Sequence, residues 1–207
     1  VYRDKAPYEV LSTKWISYRE LVQLKRIEAV LETYYNSGRY YYTLKYVIPF
    51  YETPFAFFEQ FAGWYHEKGY DKRDHPRLGK CNILHDFVLE HRELREEREV
   101  VEDILLYDWY LKEHSRTRPA WAPDTTAFRK EWNRLYRNEG SRLFLRKSRA
   151  GEYDSKKAAN RSHIEVFRID MDKLTAYGEV VRGRYYVLFD YEERHPLTKA
   201  ARTLQWE

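Results

Sequence analysis

The apolar residues of this chain change period once, and that change limits the folds open to it. Up to about residue 149 they recur at three- and four-residue steps; beyond residue 161 they begin to alternate. A period of 3.6 buries one stripe of a helix, and a period of 2 buries one face of a strand. The chain is therefore expected to be mainly α, of the α+β kind. It reads as one domain with a helical part over 1–149, a flexible loop over 150–161 and a β-rich part over 162–207. About five to six helices should pack with a small antiparallel β element.

The first helix is the best signalled. Ser17-Tyr18-Arg19-Glu20 has the Ser-x-x-Glu form of a capping box. Leu21, Leu24, Ile27, Leu31 and Tyr34 then make an apolar stripe, and Gly38 suits the left-handed position after a helix end. A helix from about Ser17 to Tyr35 is expected, with Asn36 or Ser37 bonding its end. A short helix is expected from Tyr40 to Ile48, stopped near Pro49. Thr53-Pro54 reads as a cap with proline in the first turn, opening a helix whose Phe55, Phe58, Phe61 or Ala62 and Tyr65 face inward. Further helices are expected over Arg77 to about Glu93, Val100 to Glu113 and Thr126 to Asn138. The charged run from Glu90 to Asp103 between them reads as a solvated face laced with weak ion pairs.

Strands are expected at Ile164–Ile169 and at Tyr185–Tyr191, with Glu179–Arg182 before the latter and a turn at Arg182-Gly183-Arg184. Two or three antiparallel strands result. Asp108, set among Leu106, Tyr107, Trp109 and Tyr110, is expected to be a buried carboxylate paired with Arg116 or Arg118.

The residues also exclude functions. The chain has no Gly-rich phosphate loop, no Gly-x-Ser-x-Gly elbow and no His-Glu-x-x-His. Its seven histidines are scattered, so no metal site is expected. Cys81 is the sole cysteine, which argues against a disulfide framework. No apolar run approaches the roughly 20 residues of a membrane span, no signal peptide opens the chain, and a cytoplasmic location is expected. Met171 is the only methionine. Either an initiator was trimmed before Val1, or the chain is excised from a longer one.

One charge feature stands out. From His114 to Arg161 there are 13 lysines and arginines against 5 carboxylates, although the whole chain is only +4. Arg116, Arg118, Lys130, Arg134, Arg137 and Arg142 lie in this stretch, with Trp121, Trp132 and Tyr136 interleaved. Arginine makes two-pronged contacts to phosphate, and bases stack on aromatic rings, so RNA or another phosphate-bearing partner fits such a stretch. The competing reading is a solubilising surface, or a face that docks on an acidic domain. Lys130, Arg134 and Arg137 can share one helical face, with Trp132 turned off it.

The opening PYEVLSTKWISYRELVQLKRIEAVLETYYNSGRY, with TPFAFFEQFAGWYHEKGY, LLYDWYLKEHSRTRP and RYYVLFDYEERHPLT further on, resembles a C-terminal domain of uncharacterised function. That domain is found in bacterial cobalamin-binding radical SAM proteins. The resemblance implies that a cobalamin-binding domain and a radical SAM barrel precede it in the parent chain. It also implies that the parent binds a [4Fe–4S] cluster, S-adenosylmethionine and cobalamin, and it leaves open that the parent transfers methyl groups. This chain would itself hold no cofactor and carry no catalytic residue. Its role would be to cover the barrel or to contribute to substrate binding, with Tyr34, Tyr35 and Asn36 as candidates to face the substrate.

Overall fold

The structure, a computed structural model, describes residues 14–128, 130, 132, 134, 136 and 155–207. Among these are eight α-helices and one three-stranded antiparallel sheet. The helices are α1 (Tyr18–Val30), α2 (Tyr41–Val47), α3 (Pro54–Glu67), α4 (Arg77–Val88), α5 (Arg92–Glu96), α6 (Arg98–Lys112), α7 (Ser155–Arg161) and α8 (Met171–Tyr177). The strands are β1 (Ser162–Ile169), β2 (Arg182–Arg194) and β3 (Ala201–Trp206), in the order β1-β2-β3.

The local capping signals are realised. The Ser17 hydroxyl accepts from the Glu20 amide, and the Glu20 carboxylate accepts from the Ser17 amide at 2.7 Å. Thr53 caps α3 by accepting from the Ala56 amide at 3.0 Å, with Pro54 in the first turn. Beyond α1 the chain widens into a π-helix over Leu31–Asn36. It closes at Gly38, which has φ +60 and donates its amide to the Tyr35 carbonyl. A Cβ at Gly38 would meet no atom within 4 Å, so only the backbone opposes substitution. Gly38→Ala is expected to cost about 1–2 kcal/mol, the left-handed penalty of an L-residue. Urea unfolding that shows no loss would remove that role.

α6 is the axis of the fold. Every residue from Val100 to Leu111 is buried, and the helix packs against α2, α4, α5, β1 and β3. Over that stretch the helix carries no solvated face, so the three carboxylates within it, Glu102, Asp103 and Asp108, are buried with it. One face of the sheet meets the helices through Phe167, Ile169, Val187 and Phe189. Ile164 and Leu188 form a second, smaller core with Trp132, Tyr136, Leu204 and Trp206. Trp132 therefore packs inward, as its spacing predicts, and the Tyr136 hydroxyl meets Ser162 Oγ at 2.9 Å.

Several expectations are corrected. The extra helices, α5, α7 and α8, are short. The loop expected over 150–161 is helical from Ser155, and residues 150–154 lie outside the described set. The helix expected over Thr126–Asn138 opens as a 3-10 turn at Thr126–Phe128; residues 130, 132, 134 and 136 are helical. The helix expected to reach Glu93 stops at Val88. Phe55 is 55% exposed, and Phe57 takes the inward position. No turn forms at Arg182-Gly183-Arg184: β2 continues through it with a shift of register, Tyr185 pairing with Phe167 and Arg182 with Ile169. Gly183 stands there because a Cβ would lie 2.7 Å from the Tyr185 ring.

Candidate functional site

Three cavities border the π-helix or the turn at Ser37-Gly38 that closes it. Such widened turns occur often at functional sites. Here Thr33 returns its hydroxyl to the Ala29 carbonyl at 2.9 Å, and Tyr34 drops into the core. The Tyr34 hydroxyl donates to the Lys80 carbonyl at 3.2 Å, and burial pushes its pKa far up. Tyr35 is 58% exposed and packs edge-on to Phe58. Asn36 is also exposed and donates to Glu32 at 2.6 Å. The three adjacent candidates thus part: one joins the core and two face solvent.

Three cavities flank this segment. The first, about 360 Å³, lies between α1, α3 and the turn at residues 70–73, with Thr33 and Tyr34 in its wall. Gly69, at φ +71, turns the chain so that Tyr70 and Asp71 come back over α3. Asp71 Oδ2 then meets His66 Nδ1 at 2.5 Å. That bond, more than any other influence, holds the Asp71 carboxyl below its ordinary range. The second cavity, about 910 Å³, runs from Ser37 and Gly38 past Tyr41, Tyr107 and Lys112 to the β2–β3 connection at Arg194–Thr198. The third, about 460 Å³, is lined by Glu32, Ser37, Arg39, Tyr40, Arg77 and Lys80.

The cavities differ in how their cations are used. In the third, Arg77 bonds Glu113 and the Trp109 carbonyl and stacks 3.9 Å over the Trp109 ring; Lys80 pairs with Asp74 at 2.9 Å. In the second, Lys112 donates to the Thr198 carbonyl, and Arg194 to the carbonyls of Lys112 and Lys199. These cations hold the fold together. In the first, among the described residues, Arg26 and Arg73 make no ion pair, and the only carboxylate in the wall is Asp71, which bonds His66.

Where it is described, the basic stretch divides its cations between the interior and the surface. Arg118 is half-buried and donates to the wholly buried Glu165 and to the Pro123 carbonyl at 2.6 Å. Arg116, Lys130 and Arg134 are exposed. Arg137 and Arg142 lie outside the described residues. Asp108 pairs with neither Arg116 nor Arg118. It accepts from the amides of Tyr42 (3.3 Å) and Thr43 (2.8 Å) and from the Thr43 hydroxyl (2.8 Å). The reason is local: Tyr40 offers α2 no side-chain cap, so a carboxylate from α6 satisfies its open amides. The run from Glu90 to Asp103 is not all solvated either, because Glu102 and Asp103 are buried and engaged by Arg168.

The His66–Asp71 pair has no periodic signature. The two residues are five apart across Gly69, and only the glycine marks the fold-back.

Two of the segments that mark the resemblance, the α1–π run and α3 with its following turn, supply most of the first cavity's wall. No curated protein and no solved structure matches the sequence. One family model, described as a protein of unknown function (DUF4080), matches residues 1–189. With nearly the whole chain covered, the protein belongs to the DUF4080 family.

Proposed function

We propose that this domain is a non-catalytic accessory domain of a cobalamin-dependent radical SAM enzyme, set against the barrel and shaping its substrate site. One observation carries the reading: the four segments that resemble such domains converge on two cavities. The first and second supply most of the wall of the 360 Å³ cavity. The first, third and fourth line the 910 Å³ groove through Gly38, Lys112 and His195. Segments far apart in sequence that share walls are suited to contacting one substrate or one neighbouring domain.

The chain's own residues do not fit an iron–sulfur cluster. Cys81 is the only cysteine, it is buried in α4, and burial pushes its thiol far up, away from the thiolate that a metal requires. The cluster, S-adenosylmethionine and cobalamin belong, in this reading, to the preceding domains of the parent chain. No helix among the described residues is long and apolar enough to cross a membrane.

Two measurements test this. Anaerobic iron–sulfur reconstitution of the domain is expected to leave it colourless and unable to cleave S-adenosylmethionine; stoichiometric iron with steady cleavage would overturn the reading. The reading frame upstream of Val1 is expected to encode a Cys-x-x-x-Cys-x-x-Cys motif. A second reading, an RNA- or phosphate-binding module over 114–161, draws on the exposure of Arg116, Lys130 and Arg134. It requires salt-dependent binding of single-stranded RNA by fluorescence polarisation.

A further inference from the structure

The first cavity has the makings of a site for a small organic acid. Its volume, about 360 Å³, lies at the lower end of the range for small-molecule sites, which combine apolar walls with a few placed polar groups. The body of the cavity is apolar. Val22, Ala29, Val30 and Ala62 supply aliphatic surface, and the Tyr65 and Tyr70 rings, with centroids 5.5 Å apart, make an aromatic wall.

The charge in the wall is one-sided. Among the described residues of the wall, Arg26 comes from α1 and Arg73 from the turn after Gly69, against Asp71 as the sole carboxylate. Asp71 forms an ion pair with neither arginine: its carboxylate bonds His66 at 2.5 Å, and Arg26 acts on it only through space. Arg26 and Arg73 make no ion pair among the described residues. Two guanidiniums without carboxylate partners beside an apolar hollow favour a ligand that brings its own negative charge, since arginine binds carboxylate and phosphate through paired N–H donors.

We propose that this cavity binds a small organic anion, its carboxylate or phosphate held between Arg26 and Arg73 and its apolar body laid against Tyr65 and Tyr70. The inference stands apart from the accessory-domain reading, because it needs only this chain's own wall.

The test is a titration of the ¹⁵N-labelled protein with phenyl phosphate, phenylacetate, benzyl alcohol and inorganic phosphate. The amides of Ala29, Thr33, Asp71 and Arg73 report the cavity. Phenyl phosphate and phenylacetate are expected to give saturable shifts there. Benzyl alcohol and inorganic phosphate should each bind at least tenfold more weakly, because each offers half of the recognition. The two acids also separate a phosphate preference from a carboxylate one. Arg26→Glu and Arg73→Glu should each weaken both acids at least tenfold and leave benzyl alcohol unchanged, which distinguishes lost charge from lost fold. Ala29→Phe, at an exposed position in the wall, should block all four probes by filling the hollow. The proposal is overturned if neither acid saturates, if the shifts centre on Lys130 and Arg134, or if the charge reversals leave the acids' affinity intact. Inorganic phosphate binding as tightly as phenyl phosphate would overturn it too.

Discussion

Replacing Arg168 with alanine is expected to destabilise the domain by about 3–5 kcal/mol at pH 8, the usual loss when one partner of a buried ion pair is removed. Arg168 ties β1 to α6. Its Nε and Nη2 reach Asp103 Oδ1 at 3.0 and 2.7 Å, its own amide reaches Oδ2 at 2.5 Å, and Nη2 also donates to the Glu99 carbonyl at 3.0 Å. Asp103 is wholly buried, so without the guanidinium its charge would keep the Arg168 amide and little else.

The loss should depend on pH, and the direction is set by which form burial favours. Burial pushes Asp103 up to about 6, although Arg168 draws it down. A carboxyl raised in the folded state contributes stability that is full below its unfolded value, near 4, and is lost as pH rises through the folded one. Removing Arg168 raises Asp103 further, so the deficit is largest above pH 7 and shrinks at pH 5, where the group carries a proton. Glu102 runs the other way: burial would raise it, but His85, Arg98 and Arg168 hold it at about 2. Its contribution is present above about pH 4 and fades only in stronger acid. Urea unfolding at pH 5 and pH 8 measures the difference; an equal loss at both would sink the idea.

Asp108→Ala should rank second. It strips α2 of a carboxylate that accepts three hydrogen bonds and leaves the buried Thr43 amide and hydroxyl and the part-buried Tyr42 amide open. At about 1–3 kcal/mol for an unsatisfied buried group, a loss of roughly 3 kcal/mol is expected. For a domain of this size that is a fall of about 6–12 °C in Tm. Burial pushes Asp108 up to about 7 against the pull of Thr43 and Tyr42. Its stabilisation is therefore full below about pH 4 and declines as pH rises through 7. Asp108→Asn cannot titrate and should flatten that slope. Calorimetry across pH 5–8 decides the matter, and a wild-type slope retained in the Asn variant would assign it to another group.

Both sites show what a linear reading reaches and what it misses. The caps at Ser17 and Thr53, the glycine stop at Gly38 and the inward turn of Trp132 depend on residues within a turn or two, so periodicity and residue type reveal them. The partners of the buried charges do not. Asp103 meets Arg168 across 65 positions, and Arg118 meets Glu165 across 47. The charged run that looked solvated passes into the core from Val100 onward, where α6 is enclosed, which no charge count discloses. In the same way, β2 reads as two pieces because Gly183 is a turn former in isolation; only the Tyr185 ring lying over it explains its place in a strand. Of the candidates read from sequence, Tyr34 to Asn36, only Tyr34 lines the first cavity, and no spacing points to His66, Asp71, Arg26 and Arg73 around it.

The widened turn at Leu31–Asn36 bears on how this chain can change length. A π turn holds one residue more than the α-helical turn it replaces. Losing a residue at Glu32 or Thr33 would let the segment wind back to the tighter form while the residues C-terminal to it keep their register. Tyr34 would still enter the core below the Lys80 carbonyl, and Tyr35 would still face solvent. The extra residue thus makes this a place where a one-residue deletion can leave the packing chemistry unchanged while redrawing the walls of the cavities beside it, which Glu32 and Thr33 line.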